Sequence, residues 1–170
     1  MLKIQFERRN IFEHARYRGL TAIYGHIGFN QMRESWVVFS RAYPQLALID
    51  DPFHQIDPNP FYLEPEHLLY FVPEPEDGGM TDEALVQTVR QLFLIARDNQ
   101  LARIAFNGAP NIGHGYNYQH NLASDDIRTR LLVGTICAEY TAQVPINLSF
   151  FLTSLSNVFL RNFPRAIRIQ

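Results

Sequence analysis

Two histidines of this chain sit among glycines. His26 lies in Tyr24-Gly25-His26-Ile27-Gly28-Phe29-Asn30, and His114 lies in Asn111-Ile112-Gly113-His114-Gly115-Tyr116-Asn117. Glycine lets the backbone approach a ligand closely and leaves successive N–H groups free to face an anion. An imidazole in such a loop can contact a phosphate or pass a proton near neutral pH. It can equally be a solvent-facing loop side chain. If the two loops meet, the histidines could act together in phosphoester chemistry or on a metal. Ring centres more than about 10 Å apart would rule out direct cooperation. The chain contains neither G-x-x-x-x-G-K-[ST] nor G-x-G-x-x-G, so ordinary turn glycines stand beside a ligand loop as a reading of both segments.

The elements that position these loops follow from the pattern around them. Leu20 to Tyr24 reads as a strand that empties into the first loop, and a helix is expected from about Gln31 to Tyr43, stopped by Pro44. Trp36, Val37, Phe39 and Ser40 give that helix a partly buried face. Arg103 to Phe106 is a strand that empties into the second loop, with a helix expected from Ser124 to about Gln143. Ser124 would cap it, Asp125 and Asp126 would occupy its first turn, and Ile127, Leu131 and Ala138 would share its apolar face. Loops that follow strands and precede helices lie at the carboxyl edge of an open α/β sheet, where ligands bind. Side by side, these two would form a groove for a diphosphate, with Phe29 and Tyr116 at its walls. Backbone amides and a helix N-terminus neutralise phosphate without lysine, and Lys3 is the only lysine here.

The rest of the chain supplies the scaffold. Leu2 to Phe6 alternates as an opening strand, and Leu46 to Ile49 reads as a short one. Asp50 to Pro65 holds Pro52, Pro58, Pro60 and Pro65 and reads as a loop or irregular extended connector. Leu68 to Val72 is apolar without alternation, the mark of a strand covered on both faces. Thr81 caps a helix that carries Asp82 and Glu83 in its first turn and runs to about Asp98. Its apolar positions are Leu85, Val86, Val89, Leu92, Phe93 and Ala96. Ile146 to Leu152 is a strand, Ser154 to Asn162 a short helix and Ala166 to Ile169 a terminal strand. The alternation from residue 68 onward predicts a single α/β domain: a mixed, mostly parallel central sheet with helices on both faces, a three-layer sandwich.

Composition bounds the function. The chain has 170 residues, 46% hydrophobic, enough for one domain with a sizeable core, and a net charge of -2 that offers no broad cationic field for duplex nucleic acid. The single cysteine, Cys137, allows no internal disulfide and no cysteine-based zinc site. Within a helix it reads as a structural thiol rather than a nucleophile. MLKIQFERRN has no apolar signal core, and no apolar run approaches ~18 residues, so a cytoplasmic location without a membrane partner is expected.

Other reactive side chains have structural readings. His54, His67 and His120 show no metal-ligand spacing and read as surface or loop residues. Asp125 and Asp126 suit a helix start whatever the function. Asn107 suits backbone support in the loop after its strand. Trp36 and Phe39 read as core.

The chain resembles a strongly diverged macro domain, the module that binds ADP-ribose. The resemblance rests on segment order and local matches. Leu2-Lys3-Ile4-Gln5-Phe6 followed by Asn10-Ile11 is similar to the first strand and the turn that contacts adenine, with Asn10 where an aspartate is usual. Phe39-Ser40-Arg41-Ala42-Tyr43-Pro44-Gln45-Leu46 is similar to the end of the helix after the first loop. Asn111-Ile112-Gly113-His114-Gly115-Tyr116 is similar to the second phosphate loop. The family's first loop carries an Asn-Ala-Ala-Asn run; here Tyr24-Gly25-His26 stands in its place.

The resemblance implies binding of ADP-ribose or a related nucleotide diphosphate and leaves open whether an ADP-ribose linkage is also hydrolysed. It assigns Gly113, Gly115 and Tyr116 to the phosphates and proximal ribose, with Asn111 opening that loop, and Gly25, His26 and Gly28 to the facing loop. Asn10 falls to the adenine, and Asn30 is nearest to the asparagine that orients the distal ribose. In the hydrolytic case the ligand's phosphate orients a water, with His26 or His114 assisting. No cofactor and no metal are implied. The alternative is a macro-like scaffold without ligand that serves as a protein interaction module. An enzyme acting on another phosphorylated small molecule is a third.

Overall fold

Alternating or continuously apolar segments become the strands of one sheet. The computed structural model describes residues 2–7, 11, 18–24, 30–48, 60–72, 81–106, 122–141, 146–151 and 168–169. Among them run β1 (Lys3–Glu7), β2 (Gly19–Tyr24), α1 (Asn30–Ala42), a 3-10 helix (Pro44–Leu48), β3 (Phe61–Glu64), β4 (His67–Val72), α2 (Asp82–Asp98), β5 (Arg103–Phe106), α3 (Leu122–Thr141), β6 (Asn147–Phe151) and β7 (Arg168–Ile169). The strand order is β3-β4-β2-β5-β6-β1-β7. Every pairing is parallel except β3 with β4. The result is an α/β fold on a mixed, mostly parallel sheet.

Strand side chains alternate between two apolar clusters. Leu20 and Ala22 of β2, Leu68, Tyr70 and Val72 of β4, Ile104 and Phe106 of β5, and Leu148 and Phe150 of β6 pack with α2 and α3. The intervening Ile23, Leu69, Phe71, Ala105 and Phe151 pack with Trp36, Phe39 and Tyr43. β4 is buried at every position, which accounts for its unbroken apolar run. Facing residues Phe106, Phe150 and Phe6 stack across β5, β6 and β1, with ring centroids 4.7 Å and 5.7 Å apart.

α2 is the helix whose ends are best specified. The Thr81 side chain accepts a hydrogen bond from the Ala84 amide at 3.1 Å, and Asp82 and Glu83 meet the positive end of the helix dipole. At the other end Gln100 donates to the Arg97 carbonyl at 3.0 Å and Leu101 to the Ala96 carbonyl at 2.7 Å, the paired bonds of a Schellman stop. Gln100 holds a φ of 55° there, a conformation that costs an L side chain about 1 kcal/mol relative to glycine. Gln100→Gly should therefore raise stability by about 0.5–1 kcal/mol in urea unfolding.

Several expectations need correction. The segment after Pro44 is a 3-10 helix rather than a strand; Leu46 is buried by that turn. Asp50 to Pro65 is not all connector, because Phe61–Glu64 forms the antiparallel edge strand. Along α1 and the residue that follows it, Trp36, Phe39 and Tyr43 are buried, while Val37 faces solvent; the burial repeat is i, i+3, i+7. α3 begins at Leu122, so Ser124 lies inside it and is not its cap. Its buried face is Thr129, Leu132, Val133 and Ile136, with Leu131 packed at the margin and Ile127 and Ala138 exposed. Glu139 fixes that rotation: it lies 3.3 Å from Arg97 and 3.5 Å from Arg90, tying α3 to α2. Cys137 is half-buried at the margin of the same cluster, and burial pushes its thiol pKa up, as suits an unreactive side chain. The expected helix Ser154 to Asn162 lies outside the described residues.

Candidate functional site

Parallel pairing gives β1, β2, β4, β5 and β6 a common direction, so Glu7, Tyr24, Val72, Phe106 and Phe151 end at one edge of the sheet. β2 and β5 are neighbours there, with Leu20, Thr21 and Ala22 opposite Ile104, Ala105 and Phe106. β2 runs on through Ile23 and Tyr24 beyond the last pair.

The chain leaves these two strands in opposite senses. From β2 it passes through α1 toward β3 and β4 at one end of the sheet. From β5 it passes through α3 to β6 on the other side. The buried side chains of α1 and those of α3 belong to different apolar clusters. Adjacent strands whose connections diverge in this way define a topological switch point, where a crevice opens outside the carboxyl ends of an α/β sheet.

The residues that the resemblance names follow these strand ends. Residues 25–29 succeed β2 and 107–121 succeed β5. Asn10 comes three residues after Glu7, the end of β1. Asn10, Gly25, His26, Gly28, Asn111, Gly113, His114, Gly115 and Tyr116 themselves lie outside the described residues, as do His54 and His120. Asn30 is the first residue of α1.

The start of α1 differs from that of α2. The first turn of α1 carries no acidic residue, whereas α2 supplies Asp82 and Glu83 to its own N-terminus. The partial positive charge at the start of α1 is thus unbalanced by a carboxylate of its own first turn, an arrangement that favours an anion. Among the described residues no group of three or more His, Cys, Asp or Glu is placed to hold a metal. No helix among them is long and apolar enough to cross a membrane. No family model and no curated protein matches the chain.

His67, expected at the surface, is instead 2% exposed at the start of β4. That end of β4 is the edge opposite the strand termini just described. Its Nε2 lies 3.4 Å from the Thr21 hydroxyl and its Nδ1 3.5 Å from the Tyr43 hydroxyl. The ring meets those of Tyr43 and Phe39 edge-on. The signal in the sequence was its position heading the apolar run Leu68 to Val72, since a strand covered on both faces buries its first residue too.

Proposed function

We propose that the sheet edge at β2 and β5 binds ADP-ribose or a related nucleotide diphosphate, in a three-layer, macro-domain-like arrangement with α2 and α3 on one face and α1 on the other. One observation carries the reading. The two strands that empty into glycine-bearing segments are parallel neighbours at the switch point, where general α/β geometry puts a ligand crevice. The diphosphate would lie between Gly25–Gly28 and Gly113–Gly115, with Tyr116 beside the proximal ribose and Asn10 at the adenine.

The strand order supports the span. β1 stands two strand spacings from β5 and three from β2, about 10–14 Å, a distance that an extended adenosine diphosphate can bridge. The start of α1, free of first-turn acids, would add partial positive charge beside the phosphates. A water oriented by the ligand's own phosphate, with His26 or His114 assisting as acid or base, would extend binding to hydrolysis of an ADP-ribose linkage.

Calorimetric titration with ADP-ribose should give saturable heat at or below millimolar ligand. Silence at millimolar concentration removes this reading. His26→Ala and His114→Ala should leave the binding heat largely intact while abolishing any turnover that depends on either imidazole.

A second reading, a ligand-free scaffold acting as a protein interaction module, draws support from adjacent valines on α1: Val37 is 47% exposed and Val38 64%. It is left standing if ADP-ribose and a panel of nucleotides and phosphorylated small molecules all fail to bind. A response within that panel but not to ADP-ribose would instead favour an enzyme for another phosphorylated substrate.

A further inference from the structure

His67 is the one histidine among the described residues, and it lies where three elements meet. It begins β4, its Nε2 faces Thr21 of β2 at 3.4 Å, and its Nδ1 faces Tyr43, next to the end of α1, at 3.5 Å. Phe39 of α1 closes the ring's surroundings at a centroid distance of 6.4 Å. We propose that His67 is an acid-sensitive latch, which holds the α1 layer on the sheet through Tyr43 and releases it when the imidazole takes up a proton.

A neutral imidazole has one N–H and one lone pair, so it donates to one hydroxyl and accepts from the other, and either tautomer serves. An imidazolium donates from both nitrogens. Tyr43 and Thr21 must then both accept, and the hydroxyl that had donated to the ring's lone pair must turn its proton to a new partner. The added charge would also sit on a ring that is 2% exposed, where an ion is poorly solvated.

Charged groups around the ring do little to offset this. Glu64 on β3 favours the protonated form, but it is exposed to solvent. Glu66 and Arg18 pair with each other at 3.4 Å, both largely exposed. On the α1 side the described neighbours Phe39 and Tyr43 bring aromatic rings. Burial therefore outweighs Glu64 and lowers the His67 pKa from its ordinary 6.5. The unfolded chain binds the proton more readily than the folded one. The stability contributed by neutral His67 is thus present above pH 6.5 and is lost as pH falls below it, toward the folded-state value.

The protein carries its own reporter. Trp36 is the only tryptophan. It belongs to α1 and meets Phe71 of the sheet edge-on, with centroids 5.7 Å apart, so its emission reads the docking of this layer.

The test follows Trp36 emission and acrylamide quenching against pH, with far-UV circular dichroism in parallel. In the native protein the emission should shift to the red and quenching should rise as pH falls below 6.5, while most of the far-UV signal persists. His67→Gln, which keeps one donor and one acceptor without a titrating ring, should hold the blue emission down to the carboxylate range. Thr21→Val removes one of the two hydrogen bonds that hold neutral His67 in the docked layer and, by weakening docking, should move release to higher pH by roughly one unit. An unchanged acid profile in His67→Gln, an unmoved midpoint in Thr21→Val, or a native emission that ignores pH would each overturn the proposal. Should His67→Gln be undocked already at neutral pH, the native His67 resonance decides. A folded-state pKa at or above 6.5 overturns the latch; a lower one whose midpoint coincides with the Trp36 indole shift supports it. The outcome is independent of nucleotide binding at the opposite edge.

Discussion

Phe150→Ala should lower the free energy of unfolding by about 3–5 kcal/mol. Phe150 is completely buried in β6 and lies opposite Phe6 of β1 and Phe106 of β5. Its ring stacks on Phe106 at 4.7 Å with an interplanar angle of 10°, and on Phe6 at 5.7 Å with an angle of 18°. Alanine would remove the middle ring of three and leave a void that Phe6 and Phe106 cannot close while their strands stay in register. The loss combines transfer of a large apolar side chain with the cavity left behind. It is a large fraction of the roughly 5–15 kcal/mol that keeps a domain folded. Equilibrium urea unfolding measures it, and Phe150→Leu should cost less than half as much. A loss below about 1 kcal/mol would mean that β5, β6 and β1 are not joined through this row.

Alanine at two glycines should act with opposite sign. Gly19 opens β2 with a φ of +124°, and an added Cβ would sit 2.6 Å from the Arg103 carbonyl oxygen. That oxygen is backbone, so no side-chain rotation relieves the clash. The conformation is strained for an L residue, and the overlap pushes β2 away from β5 at the base of the switch point. Gly19→Ala should therefore cost about 3 kcal/mol or more. Gly134 is an exposed glycine within α3 whose added Cβ would meet nothing within 4 Å. Gly134→Ala should stabilise the protein by about 0.5–1 kcal/mol through helix propensity. Thermal unfolding of the two variants side by side tests the contrast. Equal and small effects would contradict the close approach at Gly19.

Local chemistry was readable where it agreed with tertiary packing. β4 could be found because both its faces are covered, and α2 because Thr81, Asp82 and the apolar repeat mark the same helix. α3 misled for a physical reason. Leu131, Leu132 and Val133 are consecutive, and with Ile127, Ile136 and Ala138 they spread apolar character around the helix. The inward face was then chosen by contacts far along the chain, among them Glu139 with Arg90 and Arg97. β3 was hidden by Pro60 and Pro65 at its flanks, which an antiparallel edge strand tolerates. His67 was missed because no pairing rule at short range shows that Thr21 and Tyr43 will surround it.

For the candidate site, the sequence of strand, glycine segment and helix was visible twice. The adjacency of β2 and β5 was not, because strand order is settled by how the crossovers pack. The switch point adds to the sequence pattern a reason why these two segments, rather than any other pair of turns, would share a ligand.

The position of β1 bears on how the chain reaches its native state during synthesis. Both partners of β1, β6 and β7, come from the far end of the chain, and Gln5 meets Ser149 across a separation of 144 residues. β1 leaves the ribosome before the other described strands of this sheet and must therefore wait for them before its backbone finds a permanent neighbour. Until then Leu2 and Ile4 travel uncovered, and a nascent chain arrested before β6 has emerged should remain bound by chaperones or open to proteases at β1.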